Sequence, residues 1–271
     1  MSEKPVNYSH LYKLAIFSFN STIIYLLAFF ITFIAQTLIT QMAAELSHIK
    51  TVYDHFILIF KINNTSSLWT VDSIIFIFAS GPFLCLVIGL ISLRVHRLLE
   101  SSKDYLSLFL LWLYILSFNR FFGAFISGVV THKGFGYVLN WIYLPFNAQV
   151  LFAAGFLVAL MLIGYFTNRY FLHISFSQTL IATWHWQMVY KFAVAIVPIL
   201  ISYVFLWFFD FFKDSIYEMV LQLCILMTVA PIFRHYSYRK LSVYKKIIYP
   251  AWSYIIIFVL VFCWFYLFTM L

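Results

Sequence analysis

Seven long apolar runs, joined by connections that hold most of the charge, constrain this chain more than any other feature. They lie at about 12–40, 71–93, 105–130, 147–167, 188–209, 215–233 and 249–270. A helix of about 20 residues crosses a hydrocarbon core of roughly 30 Å, and each run is of that order. None alternates polar and apolar residues over segments of about ten, as a membrane β-strand must. An isolated strand would also leave its backbone unpaired in lipid. The expected fold is therefore all-α, a polytopic membrane helix bundle of seven transmembrane helices forming one integral membrane domain over residues 1–271. Composition agrees. Only 10% of residues are charged, against about 25% in a soluble domain, so the chain cannot cover itself with polar surface in water.

The basic residues set the threading. With the N-terminus inside, twelve Lys and Arg fall on the inner side, four on the outer side, and Arg120 lies within the third run. Glu45, Asp54, Asp72, Asp210, Asp214 and Glu218 gather outside or at the outer rim. Lys and Arg are retained on the cytoplasmic side, so the expected topology is N-in/C-out. The first run is too long for the 7–15-residue core of a signal peptide and is expected to be a retained span. The net charge of +8 then reads as a topology signal and as contact with anionic lipids, not as a nucleic-acid surface. A composition rich in Ile, Phe, Tyr, Lys and Asn points to an AT-rich bacterial genome and so to the cytoplasmic membrane.

The connections carry further expectations. Glu45, Leu46, His48, Ile49, Val52, Tyr53, Phe56 and Ile57 have the spacing of an amphipathic helix on the outer interface, followed by a turn at Asn63-Asn64-Thr65-Ser66. Tyr137, Trp141 and Tyr143 outside, and Trp184 and Trp186 inside, read as interfacial anchors. Ser177 is placed to cap a helix along the inner surface. Small residues mark helix contacts: Gly81, Cys85 and Gly89; Gly123 with Ser127; Ala124 with Gly128; Gly155 with Ala159. These stripes predict that the second, third and fourth spans form the inner bundle. Pro82 and Pro198 fall inside spans and should bend them.

Arg120 is the strongest candidate for function. A cation within a span faces the bundle interior and finds partners. Glu218, near the outer end of the sixth span, is the expected partner, with Asn119, Asn147 and Gln149 at a similar depth. Together they read as a ligand-binding or structural polar cluster. A weaker candidate is Ala44-Glu45-Leu46-Ser47-His48, one residue short of the zinc-binding HExxH helix. If 45–55 is helical, Glu45, His48 and His55 share a face and form a metal candidate. The three cysteines have no ligand spacing, and no catalytic constellation or cofactor is predicted. The leading expectation is a small transporter or a membrane subunit of an envelope complex. Its partners are the bilayer, including anionic lipids, and, for a subunit, other membrane proteins. The alternatives are a membrane-embedded metal-dependent hydrolase using the outer Glu45/His48/His55 site, and a purely structural subunit.

Overall fold

The computed structural model describes residues 8–54, 56–99, 105–177, 182–212, 215–235 and 250–270, with side chains from 11 to 267. The chain begins with α1 (Tyr8–Leu46) and a two-stranded hairpin, β1 (Thr51–Asp54) and β2 (Ile57–Phe60). Then come α2 (Val71–Leu98), α3 (Tyr105–Thr131), the short α4 (Phe135–Trp141) and α5 (Phe146–His173). Next, α6 (Trp184–Lys191) passes through a π-helical turn at Phe192–Ile196 into α7 (Val197–Phe208). Two short helices follow, α8 (Ile216–Leu223) and α9 (Ile225–Val229), closed by a 3₁₀ turn at Ala230–Phe233. The last helix is α10 (Trp252–Met270). Among the described residues, six stretches are long and apolar enough to cross a membrane: α1, α2, α3, α5, α6 with α7, and α8 with α9. The seventh apolar run, α10, is a shorter apolar helix.

Local chemistry explains the ends of α2. Thr70 accepts from the Ser73 amide at 3.1 Å, and the Ser73 hydroxyl accepts from the Thr70 amide at 2.9 Å. This reciprocal cap satisfies two donors that a helix start leaves orphaned. Asp72 in the first turn and Arg97 in the last match the helix dipole.

End contacts fix the direction of each rod. Asn20 of α1 donates to Tyr105 Oη at the start of α3 (2.8 Å) and accepts from the Ala251 amide just before α10 (3.0 Å). His96, near the end of α2, meets Ser107 (3.2 Å) and the Tyr170 ring (5.0 Å) near the end of α5. Lys191 at the end of α6 and Asn168 of α5 both donate to the Arg234 carbonyl beyond α9, at 2.8 and 2.9 Å. At the other end, the Phe56 ring lies near those of Phe211 and Phe265, at 5.1 and 5.9 Å. There too, Ser127 of α3 donates to the Tyr217 carbonyl at 2.6 Å. Successive long rods therefore alternate in direction, and α10 runs beside α1 in the same sense.

The centre of the bundle differs from the expectation. Within the most apolar windows, 78% of α3 and 61% of α1 is buried, against 39% of α2 and 17% of α5. Thus α1 and α3 form the core, while α5 lies at the periphery. The stripes on α2 and α3 do make close contacts: a Cβ on Gly81 would meet Gln36 of α1, and one on Gly89 would meet Phe118 of α3. A Cβ on Gly155 of α5 would meet nothing within 4 Å, so that stripe is not a packing face. The contact α5 does use is Gly164, where a Cβ would lie 1.7 Å from the Thr228 carbonyl oxygen of α9.

The connection after α1 also differs. The amphipathic spacing predicts a helix over 45–57, but α1 stops at Leu46, His48 takes a left-handed φ of +60°, and a hairpin follows. Its register is Thr51↔Phe60, Val52↔Ile59, Tyr53↔Leu58 and Asp54↔Ile57. β-Branched and aromatic residues suit a half-buried strand, and the left-handed residue turns the chain off the helix. The expected turn is present, with the Ser66 amide donating to the Asn63 carbonyl at 3.0 Å. The helix predicted after Ser177 falls partly on residues 178–181, outside the described residues.

Pro198 acts through its missing N–H. An α-helix would bond that N–H to the Val194 carbonyl. Here Ser21 of α1 donates to Val194 O at 2.8 Å, and Ser18 donates to Ala193 O at 2.5 Å. The π turn lies at these two residues, so two serines of α1 serve carbonyls that the proline disrupts. Ser21 Oγ also accepts from Trp112 Nε1 at 3.0 Å, tying α3 to the same point.

Candidate functional site

Arg120 lies a little past the middle of α3, with its side chain 1% exposed. Its Nη1 donates to Gln36 Oε1 of α1 at 2.8 Å and reaches Glu218 Oε2 at 3.5 Å. The guanidinium carbon lies 5.1 Å from the centre of the Phe29 ring and 5.0 Å from that of Phe33. The cation is thus held chiefly by a neutral amide and two ring faces, with the carboxylate at the limit of hydrogen bonding. Among the described residues, Nε and Nη2 of Arg120 have no hydrogen-bond partner. Arginine carries five N–H donors in a rigid fork, so donor capacity is left over at membrane depth.

Glu218 is held from its own helix start. Ser215 caps α8 by accepting from the Glu218 amide at 3.2 Å, and a carboxylate in a first turn suits the helix dipole. Its side chain is 15% exposed. It faces a cavity of about 680 Å³ whose wall also includes Gln36, Thr40 and Tyr217. Residues 57–60 of the hairpin, with Phe56 beside them, close one side, and Lys133 and Gly134 line another. The volume lies within the 300–1,000 Å³ of small-molecule sites. Below it, Gln222 donates to the Tyr25 hydroxyl and Asn119 Nδ2 donates to the Leu221 carbonyl at 2.9 Å. These bonds fasten α8 to α1 and α3 beneath the cavity floor.

Arg120 and Glu218 are therefore brought together, and Asn119 supports the same helix through its bond to the Leu221 carbonyl. Asn147 and Gln149 do not join them. Asn147 is exposed, and buried Gln149 donates to the Leu144 carbonyl at 2.8 Å, closing the start of its own helix. The reason is the peripheral place of α5. Sequence reasoning missed Gln36, whose signal was an amide deep in an otherwise apolar run.

The expected helical face of the metal candidate is replaced by the end of α1 and the hairpin. Glu45 accepts from Gln41 Nε2 at 2.9 Å, His48 lies past the end of α1, and His55 falls outside the described residues. Among the described residues, no group of three or more His, Cys, Asp or Glu is placed to hold a metal ion. Gln41 instead anchors the hairpin, its Oε1 accepting from the Tyr53 hydroxyl at 2.9 Å. Burial, and secondarily the nearby charge of Glu45, pushes the Tyr53 hydroxyl up to about 12. The neutral phenol is the form the fold favours.

No protein-family model, curated protein or solved structure matches the chain.

Proposed function

We propose that the chain is a seven-span membrane component, N-in/C-out, whose outward-facing vestibule above Arg120 and Glu218 binds a small polar or charged ligand. It acts as a small transporter or as the ligand-binding subunit of an envelope complex in a bacterial cytoplasmic membrane. Two facts support the threading. Described basic residues Lys13, Arg94, Arg97, Arg169, Lys191 and Arg234 belong to the Asn20 end of the bundle against Lys50, Lys61 and Lys133 at the hairpin end, where Glu45, Asp54, Asp72, Asp210 and Glu218 also lie. Retention of cations inside then supports a hairpin and cavity on the outer side. The packing of α10 along α1, from the Asn20–Ala251 bond to the Phe33–Phe265 ring contact, supports reading α10 as a seventh crossing.

The observation that carries the binding role is the cavity floor. A cavity of about 680 Å³ ends on a carboxylate that touches an almost fully buried guanidinium with unspent donors. Ionisable groups at membrane depth are costly and mark ligand or ion pathways by default. Thiol labelling tests this in a Cys263→Ser background, since Cys85 and Cys224 are buried. Thr40→Cys, on the cavity wall, should react with a membrane-impermeant thiol reagent added outside intact cells. Ser117→Cys, fully buried in α3, should not. A Thr40→Cys protein that reacts only in inverted membranes refutes the outward vestibule.

A further inference from the structure

The vestibule selects for charge sign, an inference that rests on its reading as a ligand site. Ten of its lining residues are aromatic. One chain of rings runs from the hairpin to α4: Phe60 lies 5.4 Å from Phe78, which lies 5.0 Å from Tyr137. A second joins Phe33, Phe211 and Phe56, at 4.8 and 5.1 Å. Ring faces carry negative quadrupole density and attract cations, most strongly where water is excluded.

Two described charged side chains line the cavity, Glu218 and Lys133. They do not count equally. Lys133 is exposed, and salt screens such a charge within a Debye length of about 8 Å. Glu218 sits at the floor with its side chain 15% exposed, where a lower dielectric strengthens its field. Arg120 does not line the cavity. Its guanidinium is drawn toward Gln36 and two phenyl rings, and its contact with Glu218 is 3.5 Å long. A carboxylate offers about four acceptor positions, so Glu218 keeps capacity for a second donor from above. An anion would have to settle against that carboxylate and among the rings.

We infer that the vestibule binds an organic cation, a protonated or quaternary amine with an apolar body. The ammonium sits above Glu218 and the body lies against the rings of Phe60, Phe78 and Tyr137.

Calorimetric titration of the purified full chain in detergent tests this with two water-soluble probes of similar size, phenyltrimethylammonium and benzenesulfonate. The ammonium should bind saturably, and the sulfonate roughly tenfold or more weakly. Glu218→Gln should lose about tenfold in ammonium affinity while a melting curve shows a folded protein, and Phe60→Leu should lose a smaller factor. The comparison of the two probes on the unaltered chain needs no variant to fold. Sulfonate binding as tight as ammonium binding overturns the inference, as does a folded Glu218→Gln protein of unchanged affinity. If neither probe binds while Thr40→Cys is labelled from outside, the cation class falls and the vestibule stands. If Thr40→Cys is not labelled, the vestibule itself falls.

Discussion

Replacing Gly164 by alanine adds one methyl group, at a point where α5 and α9 touch backbone to backbone. The new Cβ would lie 1.7 Å from the Thr228 carbonyl oxygen and 2.8 Å from its carbon. Ordinary contact needs about 3.4 Å or more, and the obstacle is main chain, which has no rotamer to change. The two helices must therefore move apart or slide, and overpacking of this kind costs about 1–3 kcal/mol. Alanine also offsets up to about 1 kcal/mol through its better helix propensity. Gly155→Ala on the same helix receives that propensity gain alone, because nothing lies within 4 Å of its Cβ. The two variants should differ by roughly 1–3 kcal/mol, the Gly164→Ala protein being the less stable. The assay is thermal or SDS-induced unfolding of both variants in one detergent, followed by circular dichroism. Equal melting of the two, or a less stable Gly155→Ala protein, refutes the packing of α5 on α9.

The ion pair should respond asymmetrically. Glu218→Gln removes the countercharge of a guanidinium that is 1% exposed and should cost about 3 kcal/mol, whereas Arg120→Gln leaves a carboxylate that the cavity can hydrate and should cost less. Denaturant titrations of both compare the two losses, and the reverse order contradicts the description of the floor. Ser21→Ala removes the donor to Val194 O and the acceptor of Trp112 Nε1. Bonds between membrane helices average about 0.6 kcal/mol each, so a loss of roughly 1 kcal/mol is expected in the same assay, and no loss argues against the serine serving the carbonyl freed by Pro198. Raising pH should release the hairpin. The Tyr53 hydroxyl is held above its ordinary value of 10.0, at about 12, so its contribution is complete below pH 10 and lost as pH rises through 12. Hydrogen exchange of residues 51–60 should accelerate over that window, and Tyr53→Phe should abolish this step. A step of the same size in Tyr53→Phe would exclude the phenol as its cause.

The helical rods were legible because burial in lipid demands long uninterrupted apolar helices, and hydropathy reports that directly. Arg120 was legible for the same reason, since a cation stands out against an apolar run. The hairpin was hidden by its shortness. Val52, Tyr53, Ile57 and Leu58 fit either period over so few residues, and its loop lacks the Asn-Gly type signal. The place of α5 was hidden for a different reason. Small residues at four-residue spacing permit close approach but do not require it, and Gly155 and Gly164 differ only in what lies opposite them. Asn147 and Gln149 were assigned by depth along the chain, and depth carries no information about which way a helix faces.

The unequal lengths of the rods have a consequence for the membrane itself. At about 1.5 Å per residue, the 27 residues of α3 span about 40 Å, whereas the 18 of Ile216–Phe233 span only about 27 Å. Tyr217 of the shorter rod bonds Ser127, four residues before the end of α3, so that rod begins about 6 Å below where its neighbour ends, and its capped first turn, with Ser215, Tyr217 and Glu218, becomes the bottom of a well. Lengthening that rod by a turn at its start would fill the well with peptide and lift the carboxylate toward the headgroups. A missing turn of helix, more than any carved groove, is what leaves the cavity open down to Glu218.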